Sequence, residues 1–207
     1  MATATGVSDR PAHYSSPTLL ARGQFALHVV RRLVTRFPGG RVAEIDGQAP
    51  SLSEEPEFLI VVLSRPAPGL CLDVDTHVHR VGGAALFVVM EDNDIRVGPF
   101  VAPGRQSACF HCYLARRIQH DTQAETTHHL YAALDKGGST NSPGFLPHHV
   151  RLTEGVTAGL VAAATGVDGA AAGTSVVVRL DTTTPAMEMQ PVVGCHGCAR
   201  CGARPGV

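Results

Sequence analysis

Two C-x-x-C pairs, placed far apart in the chain, constrain its fold more than any other feature. The first pair is Cys109 and Cys112, and a second group, Cys195, Cys198 and Cys201, lies near the end of the 207-residue sequence. A C-x-x-C turn can aim two sulfurs at one metal ion, and zinc takes four such soft ligands in a tetrahedron. If both groups bind one ion, the fold must return the C-terminal segment to the neighbourhood of Cys109.

Five clustered cysteines compete for four places around such an ion. Either Cys195 with Cys198 or Cys198 with Cys201 can form the second pair. We favour the latter, because Gly202 follows directly and can relieve the turn. Cys195 or His196 could substitute for one member. The predicted zinc ligands are Cys109, Cys112, Cys198 and Cys201.

A redox dithiol, or a set of unrelated free cysteines, is the alternative to a metal site. A redox C-x-x-C needs no second pair, so the double occurrence favours the metal. Four thiolates with no open coordination position would make the zinc structural. The sixth cysteine, Cys71, lies in an apolar helical setting, and we predict that it is a core residue.

The charge balance argues against two classes of partner. The chain has 17 basic and 18 acidic side chains, a net charge of -1, which gives no overall field to attract nucleic acid or an anionic membrane. Its longest apolar run, residues 58–63, is far shorter than the roughly 20 residues of a membrane-spanning helix. The N-terminal residues do not have the pattern of a secretory signal. We therefore predict a cytoplasmic protein without nucleic-acid or membrane partners.

Hydrophobic patterning predicts an α/β domain. Residues 58–65 (FLIVVLSR) form a continuous apolar run, typical of a strand that is buried on both faces of a parallel sheet. A helical pattern at 70–80 and a second buried strand at 85–90 complete a strand–helix–strand unit, which predicts a sheet flanked by helices. The other predicted helices are 24–37, 109–120, 123–134 and 153–164, and the other predicted strands are 41–45, 95–101, 175–180 and 187–193.

Two segments lack apolar periodicity. Residues 1–22 mix Ser, Thr, Pro and Ala, and we interpret them as a flexible N-terminal arm that precedes a domain at 23–207. Residues 136–147 are rich in Gly, Ser, Asn and Pro. This composition predicts a loop, and we regard it as a candidate mobile or interacting segment.

Histidines and carboxylates form three short clusters with no clear catalytic pattern. The first contains Asp73, Asp75, His77 and His79 within one predicted helix. Residues two apart on a helix point away from each other, so we interpret this cluster as a solvated face; acid–base or metal chemistry is the alternative. The histidine pairs at 128–129 and 148–149 receive the same interpretation. No G-x-S-x-G, G-x-G-x-x-G or G-x-x-x-x-G-K-[ST] motif is present, so we assign no catalytic residue and expect no independent ATP chemistry.

Two motifs carry a resemblance to a known family. The segment VGPFVAPG at residues 97–104, followed by Cys109, Cys112 and Arg116, resembles the Gly-Pro…Pro-Gly…C-x-x-C signature of E1-like (ThiF-related, Ocin-ThiF-like) proteins. Those are partner proteins of azole- and azoline-forming cyclodehydratases in ribosomal peptide natural-product (TOMM) biosynthesis. The tail HGCARCG at 196–202 is similar to the family's closing His-Pro-x-Cys-x-x-Cys-Gly, with Gly197 in place of proline. The resemblance covers residues 55–202.

The resemblance implies an E1-like, mostly parallel α/β sheet and a zinc tetrathiolate at the four predicted cysteines. Members usually begin with a winged-helix-like module that binds the leader peptide as an added strand. Residues 1–55 show only a helix and a short strand, so we expect this module to be absent or reduced and the E1-like domain to be truncated. True E1 enzymes also have a Gly-rich ATP loop, which this sequence lacks.

These observations lead to a scaffold hypothesis and an enzyme hypothesis. In the first, the chain is a non-adenylating scaffold or recruiting protein that binds a precursor peptide or a modifying enzyme such as a cyclodehydratase. In the alternative, it is a diverged E1-like enzyme that acts on a peptide substrate. The family resemblance also suggests a homodimer, because E1-like relatives pair through their sheets.

Overall fold

The computed structural model describes residues 16–45, 52–103, 107–136, 144–165 and 174–202. The strands in these ranges are β1 (Thr18–Arg22), β2 (Arg41–Glu44), β3 (Phe58–Leu63), β4 (Ala84–Met90), β5 (Asp94–Val101), β6 (Val176–Asp181) and β7 (Met187–Pro191). The helices are α1 (Gln24–Arg36), α2 (Pro68–Val81), α3 (Phe110–Gln119), α4 (Ala124–Asp135) and α5 (Pro147–Thr165).

The described strands form one mixed sheet in the order β2-β1-β3-β4-β5-β6-β7. Neighbouring strands from β2 to β4 are parallel, whereas β5, β6 and β7 join as antiparallel strands. All six residues of β3 are buried, as the continuous apolar run at 58–65 predicts. The predicted α/β class, with a sheet flanked by helices, is confirmed.

Helices cover both faces of the central strands. Helices α1 and α5 pack on one face, where Phe25 and Leu160 join an apolar cluster with alternate residues of β3 and β4. Helices α2 and α3 cover the other face, where Val74 and Phe110 pack against Phe87 and its neighbours. This two-sided burial is the reason why the central strands contain no polar alternation.

The N-terminal arm predicted over residues 1–22 does not extend that far. Residues Thr18–Arg22 form β1, which lies between β2 and β3, and Leu19, Leu20 and Ala21 are buried. The five-residue strand is too short to show periodicity within its polar surroundings, but the parallel pairing on both sides places its three central residues in the core. Residues 1–15 lie outside the described part of the chain.

Helix α5 begins earlier than its sequence pattern indicates. We expected Thr153 to cap a helix, but α5 starts at Pro147, and the Thr153 hydroxyl donates to the carbonyl of His149 inside the helix. The loop predicted at 136–147 falls mostly on residues 137–143, which the structure does not describe. No helix among the described residues is long and apolar enough to cross a membrane.

Close contact between β5 and β6 requires a glycine at position 98. A Cβ atom at Gly98 would lie 2.2 Å from the Val176 carbonyl oxygen, and Gly98 has a φ of +117°. A side chain there would separate the two strands. This contact gives a structural reason for the glycine in the segment VGPFVAPG, which leads from β5 toward the first cysteine pair.

Candidate metal centre

The first cysteine pair is held at the start of α3. Cys109 is the N-cap of this helix, and its Sγ accepts the backbone N–H of Cys112 at 3.4 Å. Both cysteines are fully buried. The helix therefore fixes the two sulfurs on one side of the site before any metal binds.

The second cysteine pair lies in the turns that follow β7. The Cys198 N–H donates to the Cys195 carbonyl at 3.1 Å, and the Gly202 N–H donates to the Cys198 carbonyl at 3.0 Å. Gly197 and Gly202 adopt φ angles of +71° and +52°, which favour glycine. The prediction that Gly202 relieves the turn at Cys201 agrees with this conformation.

The four predicted sulfurs lie together. All Sγ atoms of Cys109, Cys112, Cys198 and Cys201 are within 4.8 Å of one another. Two of the distances are 3.7 Å, from Cys109 to Cys198, and 3.6 Å, from Cys112 to Cys201. A tetrahedron with Zn–S bonds of about 2.3 Å has edges of about 3.8 Å, whereas a disulfide requires about 2.05 Å. These four cysteines could hold a metal ion, and their spacing fits a tetrahedral zinc shell.

The remaining cysteines and His196 have other positions. Cys195 contributes its backbone N–H, which donates to Cys112 Sγ at 3.1 Å, while its own sulfur is not in the group of four. His196 is exposed. Cys71 is a buried residue of α2 inside the apolar core, as predicted, and burial raises the pKa of its thiol.

Burial and hydrogen bonding shift the pKa values of Cys109, Cys112 and Cys198 in different directions. Burial raises the pKa of Cys109 to about 12, and burial also raises the pKa of Cys112. At Cys198 burial acts in the same direction, but hydrogen bonds from the backbone N–H groups of Cys201 and Arg200 outweigh it and lower the pKa to about 6. Cys198 is therefore the most readily ionised of these three thiols, and a bound cation would favour ionisation of Cys109 and Cys112 as well.

A buried aspartate joins the two cysteine segments. The carboxylate of Asp75, in α2, accepts the Phe110 N–H at 3.1 Å and the Arg200 guanidinium at 2.7 Å. Asp75 is completely buried, and His79 Nδ1 lies 3.5 Å from its Oδ1. Asp75 thus fixes the start of α3 and the cysteine tail to the same helix.

Sequence reasoning missed this role, because we interpreted the cluster containing Asp75 as solvated. That interpretation holds for Asp73, which is exposed, but it is wrong for Asp75 and His77, which are buried. The signal was present: Asp75 lies four residues after the core residue Cys71 and so shares its helical face. Because Phe110 and Arg200 engage the Asp75 carboxylate, the cluster favours a structural rather than an acid–base role.

The histidines of the two other pairs also include both exposed and buried side chains. His128, His129 and His148 are exposed, as expected of a solvated face. His149 is buried instead: its Nδ1 lies 3.2 Å from the Leu146 N–H, and its Nε2 lies 3.1 Å from the Thr182 carbonyl oxygen. His149 therefore connects the start of α5 to the turn between β6 and β7.

Comparisons with known proteins identify relatives by fold only. No protein-family model matches the chain, and no curated protein matches it. Among solved structures, the E. coli microcin synthetase McbBCD complex matches with a TM-score of 0.67 and 16% identity, over 94% of this chain and 71% of that chain. The heterocyclase TruD matches with a TM-score of 0.63 and 16% identity, over 91% of this chain and 27% of that chain.

A third match is E. coli MccB in a structure with succinimide, with a TM-score of 0.59 and 13% identity, over 90% of this chain and 66% of that chain. The chain spans only about a quarter of the length of the two heterocyclases that it matches. At these identities the likeness establishes a shared architecture. The chain therefore has the α/β fold found in heterocyclase, microcin synthetase and MccB structures.

Proposed function

We propose that this chain is a non-adenylating scaffold or recruiting protein of the cytoplasm, which binds a precursor peptide or a modifying enzyme in ribosomal peptide natural-product biosynthesis. The observation that carries the proposal is the match to the microcin synthetase complex over 94% of this chain. The same complex with pro-MccB17 bound also matches, with a TM-score of 0.61 and 11% identity. Together with the E1-like sequence motifs, the match favours a cyclodehydratase as the partner enzyme.

The packing between β1 and β3 supports the non-adenylating part of the proposal. In open α/β sheets, nucleotide phosphates bind beyond the carboxyl end of such a strand, at the start of the following helix. Here only Gly23 separates β1 from α1, and the Ala26 N–H donates to Ser64 Oγ at 3.0 Å. A Cβ at Gly23 would lie 2.7 Å from that oxygen. The Ser64 side chain thus occupies the position where a phosphate would approach the helix.

The metal has a structural role in this proposal. Four thiolates from Cys109, Cys112, Cys198 and Cys201 would fill a zinc shell and leave no open position for a substrate. The ion would connect the tail after β7 to α3 and so fix the outer edge of the sheet. We propose zinc as this ion because its preferred ligands and geometry match four clustered cysteines.

A binding experiment with defined probes tests the proposed function. Fluorescently labelled peptides that cover the short open reading frames on either side of this chain's gene are titrated with the purified protein. The products of the larger neighbouring genes are tested for co-elution in size-exclusion chromatography with light scattering. We expect at least one peptide or one enzyme to bind, with dissociation constants in the micromolar range or below. Retention of none of these probes would overturn the proposal.

The same protein sample separates the scaffold from the diverged enzyme. We expect no ATP binding in calorimetry and no ATP-dependent change of the leader peptide in mass spectrometry. Turnover of ATP that requires this chain alone would favour the enzyme alternative instead. The light-scattering mass of the isolated chain also tests the homodimer, which remains a prediction.

A further inference from the structure

Strand β7 is open at the edge of the sheet. All five of its residues are exposed, and Met187 and Met189 are 63% and 69% exposed. Among the described strands, none pairs with its outer side. Natural proteins usually protect such an edge with charges, prolines or a covering segment, but β7 has a single charged residue, Glu188, and a proline only at its last position.

The register of β7 shows which backbone groups are available. The Asp181 N–H donates to the Ala186 carbonyl, and the Val192 N–H donates to the Ser175 carbonyl, so the hydrogen-bonded pairs fall on even-numbered residues of this segment. In an antiparallel ladder the intervening residues direct their backbone groups away from the partner strand. The N–H and C=O groups of Met187 and Met189 therefore point toward an additional strand.

A cavity of about 390 Å³ lies between β7 and α3. Gln190 and Val177 line it from the sheet, while Tyr113 and Arg116 line it from the helix. The same strand thus presents a backbone edge that no described strand pairs with, together with one wall of a cavity.

One positively charged side chain in the cavity lining, Arg116, has no counter-ion among the described residues. Two neighbouring arginines are paired: Arg117 with Glu91, and Arg96 with Glu91 and Asp94. Arg116 forms no ion pair with any described residue, and its buried Nε lacks a hydrogen-bond partner there. Because the Arg116 side chain lines the cavity and has no counter-ion among the described residues, it favours an anionic acceptor that enters the cavity from outside.

We propose that this edge and cavity bind an extended, acidic segment of a precursor peptide. The peptide adds as a strand beside β7, and one of its carboxylates enters the cavity and accepts hydrogen bonds from Arg116. This inference rests on the proposed function, because it gives the peptide a place on the chain. Backbone pairing provides affinity and the arginine selects an acidic side chain, as in other strand-addition sites.

The size and charge of the site favour a peptide over two other occupants. A folded partner usually buries about 800 Å² on each side, whereas a five-residue edge suits one short strand. A second copy that docked around a two-fold axis at the cavity would bring Arg116 close to its own copy. Like charges would then oppose each other, while an acidic peptide is complementary.

The test uses a phage-displayed library of random 12-residue peptides, selected on the full-length, metal-loaded protein. Selected peptides are labelled and titrated by fluorescence anisotropy against the wild type and four variants. Arg116→Met removes the unpaired guanidinium but keeps an aliphatic chain, and Arg31→Met on the exposed part of α1 is its matched control. Met189→Pro removes the outward N–H without disturbing the pairs with β6, and Met189→Thr is the control that keeps this N–H.

We expect acidic peptides to be selected and to bind at least about tenfold more weakly to Arg116→Met and Met189→Pro than to the two controls, as loss of a charge-assisted hydrogen bond or a strand contact implies. Failure to select a peptide, or equal binding to all variants, would overturn the inference. A light-scattering dimer that Met189→Pro dissociates would assign the edge to a second copy and overturn it as well. Because the library is independent of the natural precursors, the proposed function can fail or stand separately.

Discussion

Strands β3 and β7 have nearly equal lengths, six and five residues, but opposite environments. Every residue of β3 is buried between two helical layers, and every residue of β7 is exposed. Burial of a large apolar side chain contributes about 1.5–3 kcal/mol to stability, so the apolar side chains of β3 hold this strand firmly in the sheet. Strand β7 lacks that contribution, and its position depends on pairing with β6 and on the cysteine tail that follows.

The two halves of the sheet are therefore stabilised in different ways. The parallel half is stabilised by an apolar core that the sequence shows as continuous hydrophobic runs. At the outer antiparallel edge, Asp75 connects the tail to α2 and to the start of α3, and a metal ion bound by the four cysteines would add a second connection. An edge that is held in this way can remain exposed and available for binding.

Truncation of one side chain in each strand gives the largest expected contrast. Ile60→Ala should lower the free energy of unfolding by about 2–5 kcal/mol, because the side chain is completely buried in the core. Met189→Ala should change it by less than about 0.5 kcal/mol, because that side chain is exposed. Urea denaturation followed by circular dichroism measures both. Equal losses would show that the Met189 side chain is buried in solution and that β7 does not differ from β3 in its environment.

Removal of the Asp75 carboxylate tests the connection between core and edge. Asp75→Ala should cost about 1–3 kcal/mol, since the buried Phe110 N–H loses its acceptor and Arg200 loses its ion pair. Asp73→Ala, on the exposed face of the same helix, is the matched control and should cost less than about 0.5 kcal/mol. The same urea titrations apply. A loss as small as that of the control would mean that Asp75 does not fasten the tail.

Loss of the metal should affect the edge far more than the core. In Cys198→Ser, amides of residues 187–202 should lose their protection in hydrogen exchange, while those of β3 and β4 stay protected. The global free energy of unfolding should change by less than about 1 kcal/mol, because the tail contributes no residue to the two large apolar clusters. Cys195→Ser should leave protection unchanged. Uniform loss of protection in all strands would show that the sheet does not stay folded without the metal, and would contradict a metal that only attaches the tail to it.

The smallest expected effect is a pH dependence at His149. Burial, with a contribution from His148, lowers the pKa of His149 below its ordinary value of 6.5. The neutral ring is needed to accept the Leu146 N–H, so its stabilisation is complete above pH 6.5 and is lost as the pH falls through the lowered pKa.

Melting temperatures of the wild type and His149→Gln between pH 7.5 and pH 5 measure this effect. The difference between the two proteins should shrink toward acidic pH, because the glutamine does not titrate. A constant difference over this range would show that the His149 charge does not matter for stability.

The sequence predicts those parts whose signal is local. The apolar run at 58–65 is enough to predict a buried strand. Each C-x-x-C pair is likewise a local pattern that indicates metal-binding cysteines without any knowledge of the fold. The ion pair between Asp75 and Arg200 joins residues 125 positions apart, so no local pattern contains it. Strand β1 was missed for a related reason: five residues between polar neighbours become a central strand only through pairing with β2 and β3.

Metal content shows whether the four sulfurs bind one shared ion. Zinc is measured by mass spectrometry in wild-type protein purified without chelators under reducing conditions, and in the variants Cys109→Ser, Cys201→Ser and Cys195→Ser. We expect one zinc per chain in the wild type and in Cys195→Ser, and loss of zinc in the other two variants. A wild type without zinc, or a Cys195→Ser variant that loses it as fully as Cys201→Ser, would contradict the assignment of the four sulfurs to one ion.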